Sequence, residues 1–235
     1  MYIVGDSTKN VLARSSRQFT ASFFVGTKEY NEIKTFSIEG GSTANEIINI
    51  GDTVSACLNM TVITSDNLDN KDIVLYVYVK MDDDSYDSIL IGHFKVTSAK
   101  AKDSVVEVVA GGTLSTNCEM PFFSELTYPT SAVSVLNEIS SKASVTINTA
   151  GLSTALIVET KPEGYTYREV IGYISAMFGK YATEERNGKV IIVSNRKCTQ
   201  AVHLYRKFGF QEISVDKKKF PFERADIAFE QNFNI

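Results

Sequence analysis

Residues able to do chemistry are few in this chain and stand far apart. The cysteines are Cys57, Cys118 and Cys198, odd in number and widely spaced. They form no CxxC pair and imply no disulfide framework. Cys57 sits in an alternating pattern, which predicts a buried or half-buried thiol rather than a nucleophile. The two histidines, His93 and His203, occur in unrelated contexts, so no Ser-His-Asp arrangement is readable. A metal site would have to rest on carboxylates, and these lack ligand spacing. Asp82-Asp83-Asp84 invites a calcium reading. An EF-hand loop, however, needs acidic or amide residues at alternate positions, a central Gly and a terminal Glu, and those are missing. The run therefore predicts a solvated hairpin tip. Glu184-Glu185, beside a second hairpin signal, reads as a solvated face. Lys217-Lys218-Lys219 has no interleaved aromatics to stack bases and reads as a solvated loop, so no nucleic-acid partner is expected. The expectation is no catalytic residue, no cofactor and no metal.

A chain of 235 residues, 43% hydrophobic, with net charge −4, can bury a sizeable core in one or two domains. Its mean hydropathy is −0.06. No apolar run approaches the roughly 18–20 residues that span a bilayer, so no membrane partner is expected. The first residues, MYIVGDSTKNVLARSSRQ, lack the apolar stretch of a signal peptide, and synthesis in the cytoplasm follows as the expectation.

The elements that would position side chains divide the chain in three. Phe19–Phe24 and Thr35–Ile38 read as short strands separated by Gly26-Thr27-Lys28, with a loop over Ser37–Ser42. Val54, Ala56, Leu58, Met60 and Val62 alternate with Thr53, Ser55, Cys57, Asn59 and Thr61, the period of a half-buried strand. Ile73–Val79, Ile89–Val96 and Val105–Ala110 follow, the first two joined by the acidic tip at Asp82–Asp87. Strands this short and regularly spaced predict an antiparallel barrel or sandwich. The character changes at Pro121. Thr130 is placed to cap a helix whose apolar stripe is Ala132, Val135, Leu136, Ile139 and Ala143. Val145–Ile147 is a short strand. Thr166 and Glu169 form a capping-box pair opening a second helix striped by Tyr167, Val170, Ile171, Ile174 and Phe178 and stopped by Gly179. Tyr181–Glu184 and Lys189–Val193 flank Arg186-Asn187-Gly188, a hairpin signal. The fold class is thus α+β: a barrel or sandwich domain over 1–120, a helix–strand–helix–hairpin module over 121–193, and a helix–strand tail over 194–235.

The stretch from about Gln18 to Val193, roughly four-fifths of the chain, resembles the N-terminal portion of phage tail hub proteins. The resemblance is carried by Thr35–Glu39, Ile50–Leu58, Ile91–Val96, Pro121–Pro129, Leu136–Ile139, Tyr165–Val170, Phe178–Ala182 and Arg186–Ile192, in order and spacing rather than by any one motif. It implies a structural role without catalysis, in the tail tip or baseplate hub of a phage or prophage virion. The implied partners are other phage tail proteins and further copies of the chain, as a trimer. It also implies β-barrel domains that mimic tube protein, with an α/β module between barrels and a second barrel beyond this sequence.

The last residues resemble something else. Asn195 and Ala201–Phe210, followed by Glu223–Ala228, are similar to the closing motif of GCN5-related N-acetyltransferases. That resemblance implies coenzyme A binding and leaving-group protonation at Asn195 and Tyr205. The family's Gly-rich pyrophosphate loop before a long helix is absent upstream, and Gly111-Gly112 lacks both the basic residue and the helix. Tyr205 therefore reads as a core aromatic beside Ala201, Leu204 and Phe208. The seam falls inside Ile191–Asn195, as though two genes were joined at matching strands, giving a chimeric sequence. Two alternatives stand beside the tail reading: an acetyltransferase or fragment using acetyl-CoA, and a carbohydrate- or peptide-binding β module suggested by Tyr76, Tyr78 and Tyr86.

Overall fold

Turns and alternation divide the first half of the chain into α1 (Asp6–Leu12), β1 (Phe19–Val25), β2 (Lys28–Tyr30), β3 (Ile33–Gly40), β4 (Thr53–Val54), β5 (Ala56–Ile63), β6 (Asp72–Lys80), β7 (Tyr86–Lys102) and β8 (Val105–Gly111). The second half runs β9 (Thr130–Ser131), α2 (Ala132–Lys142), β10 (Ile147–Asn148), β11 (Ile157–Val158), α3 (Tyr167–Met177), β12 (Tyr181–Glu184) and β13 (Val190–Val193). Two short strands follow, β14 (Gln211–Ile213) and β15 (Ala228–Glu230), paired antiparallel. The computed structural model describes residues 4–40, 48–193, 206–207, 211–213 and 228–230. Its contacts separate two units. The first holds 4–39, Ala56–Thr113 and Arg186–Gly188; the second holds Gly40, 48–55, Leu114–Glu185 and the chain from Lys189.

The first unit is one antiparallel sheet in the order β2-β1-β6-β7-β8-β5-β3. Inward positions meet across each ladder: Phe23 opposite Leu75, Leu58 opposite Ala110, Met60 opposite Val108, and Val62 opposite Val106. All of these are buried in one cluster, so the alternation in the sequence is the alternation of the pleat. The sheet doubles over because β7 bends. One bulge leaves Ile91 unpaired against β6, and a second leaves Thr97 unpaired against β8. Each extra residue adds local twist and bend, which lets one strand of 17 residues serve both halves of the sheet. At the open end α1 lays Val11 on Val79 and Ile89. The helix is fastened by a hydrogen bond from the Thr8 hydroxyl to the Asp87 carboxylate, and Arg14 beyond it forks onto Asp82, at 2.8 Å for one of its two contacts.

In the second unit two capped helices lie beside a small mixed sheet, β10-β13-β12-β4. Ser131 caps α2 by accepting from the Ser134 amide at 3.0 Å. Thr166 and Glu169 close the reciprocal box on α3 at 3.2 and 2.7 Å. Ala132, Val135, Leu136 and Ile139 on α2 and Tyr167, Val170, Ile171 and Ile174 on α3 are all buried in one core. The Tyr181–Glu184 and Val190–Val193 hairpin forms with Gly188 in the left-handed region at φ +78°. Gly51 sits at φ +87°, and a Cβ on Gly172 would lie 2.7 Å from its carbonyl oxygen, so helix α3 meets the turn before β4 backbone to backbone.

Several expectations need correction. The sheet is not a closed barrel: its end strands, β2 and β3, do not pair, and the chain passes between them through Asn31-Glu32 alone. With three residues, β2 is too short to complete a closing ladder, so the result is a folded-over, sandwich-like sheet. The stretch Ser37–Gly40, expected as loop, continues β3. The alternating run from Thr53 to Val62 is two strands, because the chain leaves one sheet at Val54 and joins another at Ala56. Thr130 is not the cap of α2; Ser131 is, since its hydroxyl alone reaches the first turn.

Replacing Gly172 by Ala is expected to destabilise the second unit by about 1–3 kcal/mol, since the methyl must displace backbone. Thr166→Ala is expected to cost about 1 kcal/mol through the lost cap. Urea midpoints followed by far-ultraviolet circular dichroism check both.

Candidate assembly surfaces

Most groups that looked chemically able are occupied. In the acidic tip, Asp82 holds Arg14, Asp83 accepts from the Ser85 amide at 3.0 Å, and Asp84, at φ +63°, holds Lys80 at 2.8 Å. The tip is a turn with its charges satisfied locally; neighbouring hydrogen bonds hold the Asp82 and Asp83 carboxyls below the usual range. Among the described residues no group of three or more His, Cys, Asp or Glu could hold a metal ion. Nor is any described helix long and apolar enough to cross a membrane. Cys198, His203, Asn195, Tyr205 and Lys217–Lys219 lie outside the described residues. Within that tail, Arg206-Lys207 is helical and Gln211–Ile213 extended.

Glu184 is not on a solvated face. Its Oε1 accepts from the Ser55 hydroxyl and from the Leu114 amide at 3.1 Å, and Ser55 also reaches the Ser115 hydroxyl at 3.0 Å. One carboxylate therefore fastens the two chain points, Ser55 and Leu114, at which the second unit's backbone is interrupted. Sequence reading missed it because the partners lie 129 and 70 residues away. Arg168 was missed for the same reason. Its guanidinium donates to Thr53 Oγ1 at 2.8 Å, to the Thr53 carbonyl at 3.0 Å and to Glu119 at 2.7 Å, a planar fork spent on holding β4 to α3. Beside it lies a cleft of about 510 Å³ lined by Asp52, Ser55, Glu169 and Tyr173 among others. With Arg168's nitrogens so engaged, the guanidinium is a strut.

Both described thiols are poor nucleophiles. Cys57 is half-buried, and Cys118 is fully buried. Burial first, then the neighbouring carboxylates, pushes the Cys118 thiol up to about 12, and burial raises Cys57 as well.

The unit edges differ. At one end of the large sheet, β2 has three residues and carries Lys28 and Glu29, the length and charge that discourage strand addition. At the other end, β3 has eight residues, seven of them exposed. Phe36 and Ile38, on one face of it, are 38% and 39% exposed, and no described strand pairs with its outer side. That is an edge able to receive another chain. On the outer face, Tyr76 and Tyr78 are half-buried, tilted against each other at 6.3 Å, with Phe24 edge-on to Tyr76 at 5.8 Å; Tyr86 is 52% exposed.

No protein-family model matches the sequence, and no curated protein matches it. Among solved structures, the chain is similar to the tail protein from Neisseria meningitidis MC58, at 10% identity and a TM-score of 0.51, over 74% of this chain and 50% of that one. It is also similar to the 43 kDa tail protein of prophage MuSo2 from Shewanella oneidensis, at 12% identity and a TM-score of 0.47, over 74% and 53%. The half-lidded Francisella PdpA–VgrG complex contains a further similar chain, at 8% identity and a TM-score of 0.48, over 90% of this chain and 39% of that one. This chain spans about half the length of the two tail proteins. The likeness to the Neisseria protein is one of fold, over about half of that protein's length.

Glu184→Ala is expected to cost about 1–3 kcal/mol, because the Leu114 amide loses its acceptor inside the core; a urea titration reads it. In a Cys198→Ser protein, Ellman's reagent at pH 8 should label Cys57 slowly and Cys118 only on unfolding. The sign follows from the raised thiol: above its ordinary value of 9 the unfolded chain gives up a proton that the fold keeps to about 12. Stability contributed by Cys118 is therefore lost as pH rises through that window.

Proposed function

We propose that this chain is a structural component of a phage or prophage tail tip or baseplate hub, working by self-association and contact with other tail proteins and carrying out no catalysis. In this reading it is found in the virion tail after synthesis in the bacterial cytoplasm. The observation that carries the proposal is β3, a long sheet edge exposed over seven of its eight residues and bearing Phe36 and Ile38. A monomeric protein gains nothing from such an edge and risks aggregation by it. A ring subunit uses it, because main-chain hydrogen bonds to a neighbour give affinity and alternate side chains give register. The tail-protein fold and the sequence resemblance to hub proteins point the same way.

The division of labour follows the two units. The folded-over sheet takes the place of the tube-mimicking domain, and the unit built on α2 and α3 takes that of the α/β module. The sheet domain and module expected over 1–120 and 121–193, and the acetyltransferase-like end over 194–235, belong to this proposal as its finer divisions. Trimerisation is its oligomeric form.

Sedimentation equilibrium of the full chain tests the proposal. A concentration-dependent trimer is expected, and Ser37→Pro, which places a ring in mid-edge and removes a donor, should reduce it to monomer while circular dichroism stays unchanged. A wild-type chain that stays monomeric up to ~100 µM, far above the concentrations at which specific interfaces form, would refute self-association.

A further inference from the structure

On the outer face of the large sheet, β1 offers small side chains where its neighbours offer tall ones. Thr20 lies directly opposite Tyr78, and Ser22 opposite Tyr76. The difference in height leaves a groove of about 700 Å³ over β1, walled by Tyr78 and Tyr86 on one side and by Glu29, Asn31 and Glu32 on the other. Tyr78 is held in place: Ser22, only 2% exposed, donates its hydroxyl proton to the Tyr78 oxygen at 3.3 Å, and Tyr76 leans on the same ring. The Tyr78 half of the aromatic wall is thus preorganised and costs little ordering when a ligand arrives.

The charge in this groove is of one sign. Glu29 and Glu32 are exposed carboxylates, and none of the lining residues is cationic. Of the two lysines nearest along the chain, Lys28 beside Glu29 is held by Asp66, and Lys34, two residues beyond Glu32, is not among the lining residues. Among the described residues neither Glu29 nor Glu32 takes part in an ion pair.

We propose that this groove binds an extended polypeptide segment carrying an arginine, whose guanidinium lies against the Tyr78 and Tyr86 rings and forks onto Glu29 and Glu32. A planar guanidinium is the cation that both stacks on an aromatic face and meets carboxylates through paired donors. The trough over β1 follows a strand direction, which suits an extended backbone. The assignment goes beyond the tail-assembly reading and does not rest on it, because it concerns a face rather than the β3 edge.

The test is a 1H–15N correlation titration of the full chain with acetyl-Gly-Arg-Gly-amide, alongside acetyl-Gly-Glu-Gly-amide and chitotriose. The arginine peptide is expected to shift the amides of Thr20, Ser22, Tyr78 and Tyr86, with its half-saturation concentration raised about fivefold in the double variant Glu29→Gln, Glu32→Gln and again in Tyr86→Ala. All three residues are exposed, and unchanged dispersion of the remaining spectrum reports that the variants fold. The binding should also weaken with added salt. The proposal is overturned if no amide on this face moves up to ~10 mM arginine peptide, if the glutamate peptide binds equally, if chitotriose binds in its place, or if the two glutamine substitutions leave the half-saturation unchanged.

Discussion

The Glu184 carboxylate is the contact on which the second unit's continuity depends. The backbone of that unit stops at Ser55 and resumes at Leu114, and Glu184 Oε1 receives a donor from each. A charged acceptor serving one half-buried and one buried donor makes hydrogen bonds stronger than neutral ones, and a single-donor arrangement could not hold both ends. Around it the unit is made of short-range parts: a hairpin, two capped helices, and a parallel strand of two residues at β4. Beside that anchor, β4 is held by two ladder positions, the Arg168 fork, backbone bonds from Gly51 to Lys180 and from Ala182 to Asp52, and the packing of Val54.

The first unit has a different constraint. A seven-stranded antiparallel sheet with one apolar face must cover that face, and this one covers it by folding over. Two bulges in β7 do the bending, which places the burden of shape on Ile91 and Thr97, the two residues left out of the ladders. The cost of folding over without closing is a pair of free edges. The short charged β2 is protected by its own composition, while the long β3 is not. That unprotected edge is the feature on which the proposed self-association rests.

Electrostatics here organises rather than reacts. Asp82 fixes Arg14, Asp66 fixes both Lys28 and the Tyr30 hydroxyl, and Arg168 fixes β4. Most of these pairs are exposed, so each contributes little stability on its own and acts chiefly by choosing one geometry among several. Burial raises both described thiols, Cys118 most. On the outer face of the large sheet, Glu29 and Glu32 are among the described charged residues that take part in no ion pair.

Local rules were legible in the residues. The stripe Ala132, Val135, Leu136, Ile139 is fully buried as its spacing requires, the Thr166–Glu169 box closes, and Asn187-Gly188 turns the hairpin, because each depends on neighbours within one or two turns. The hairpin tip at Asp82–Asp84 was likewise readable from its composition. What the residues could not disclose needs partners far along the chain. Alternation from Thr53 to Val62 is the same whether one sheet or two receive it, so the switch at Ser55 left no mark. Glu184 looked like any surface acid beside a turn, since its partners stand 70 and 129 residues away. The same holds for the bulges, the open β2–β3 seam and the groove over β1. A pleat fixes which side of a strand is apolar, but only the pairing of strands decides which edge stays bare and which small residues line up beneath tall ones.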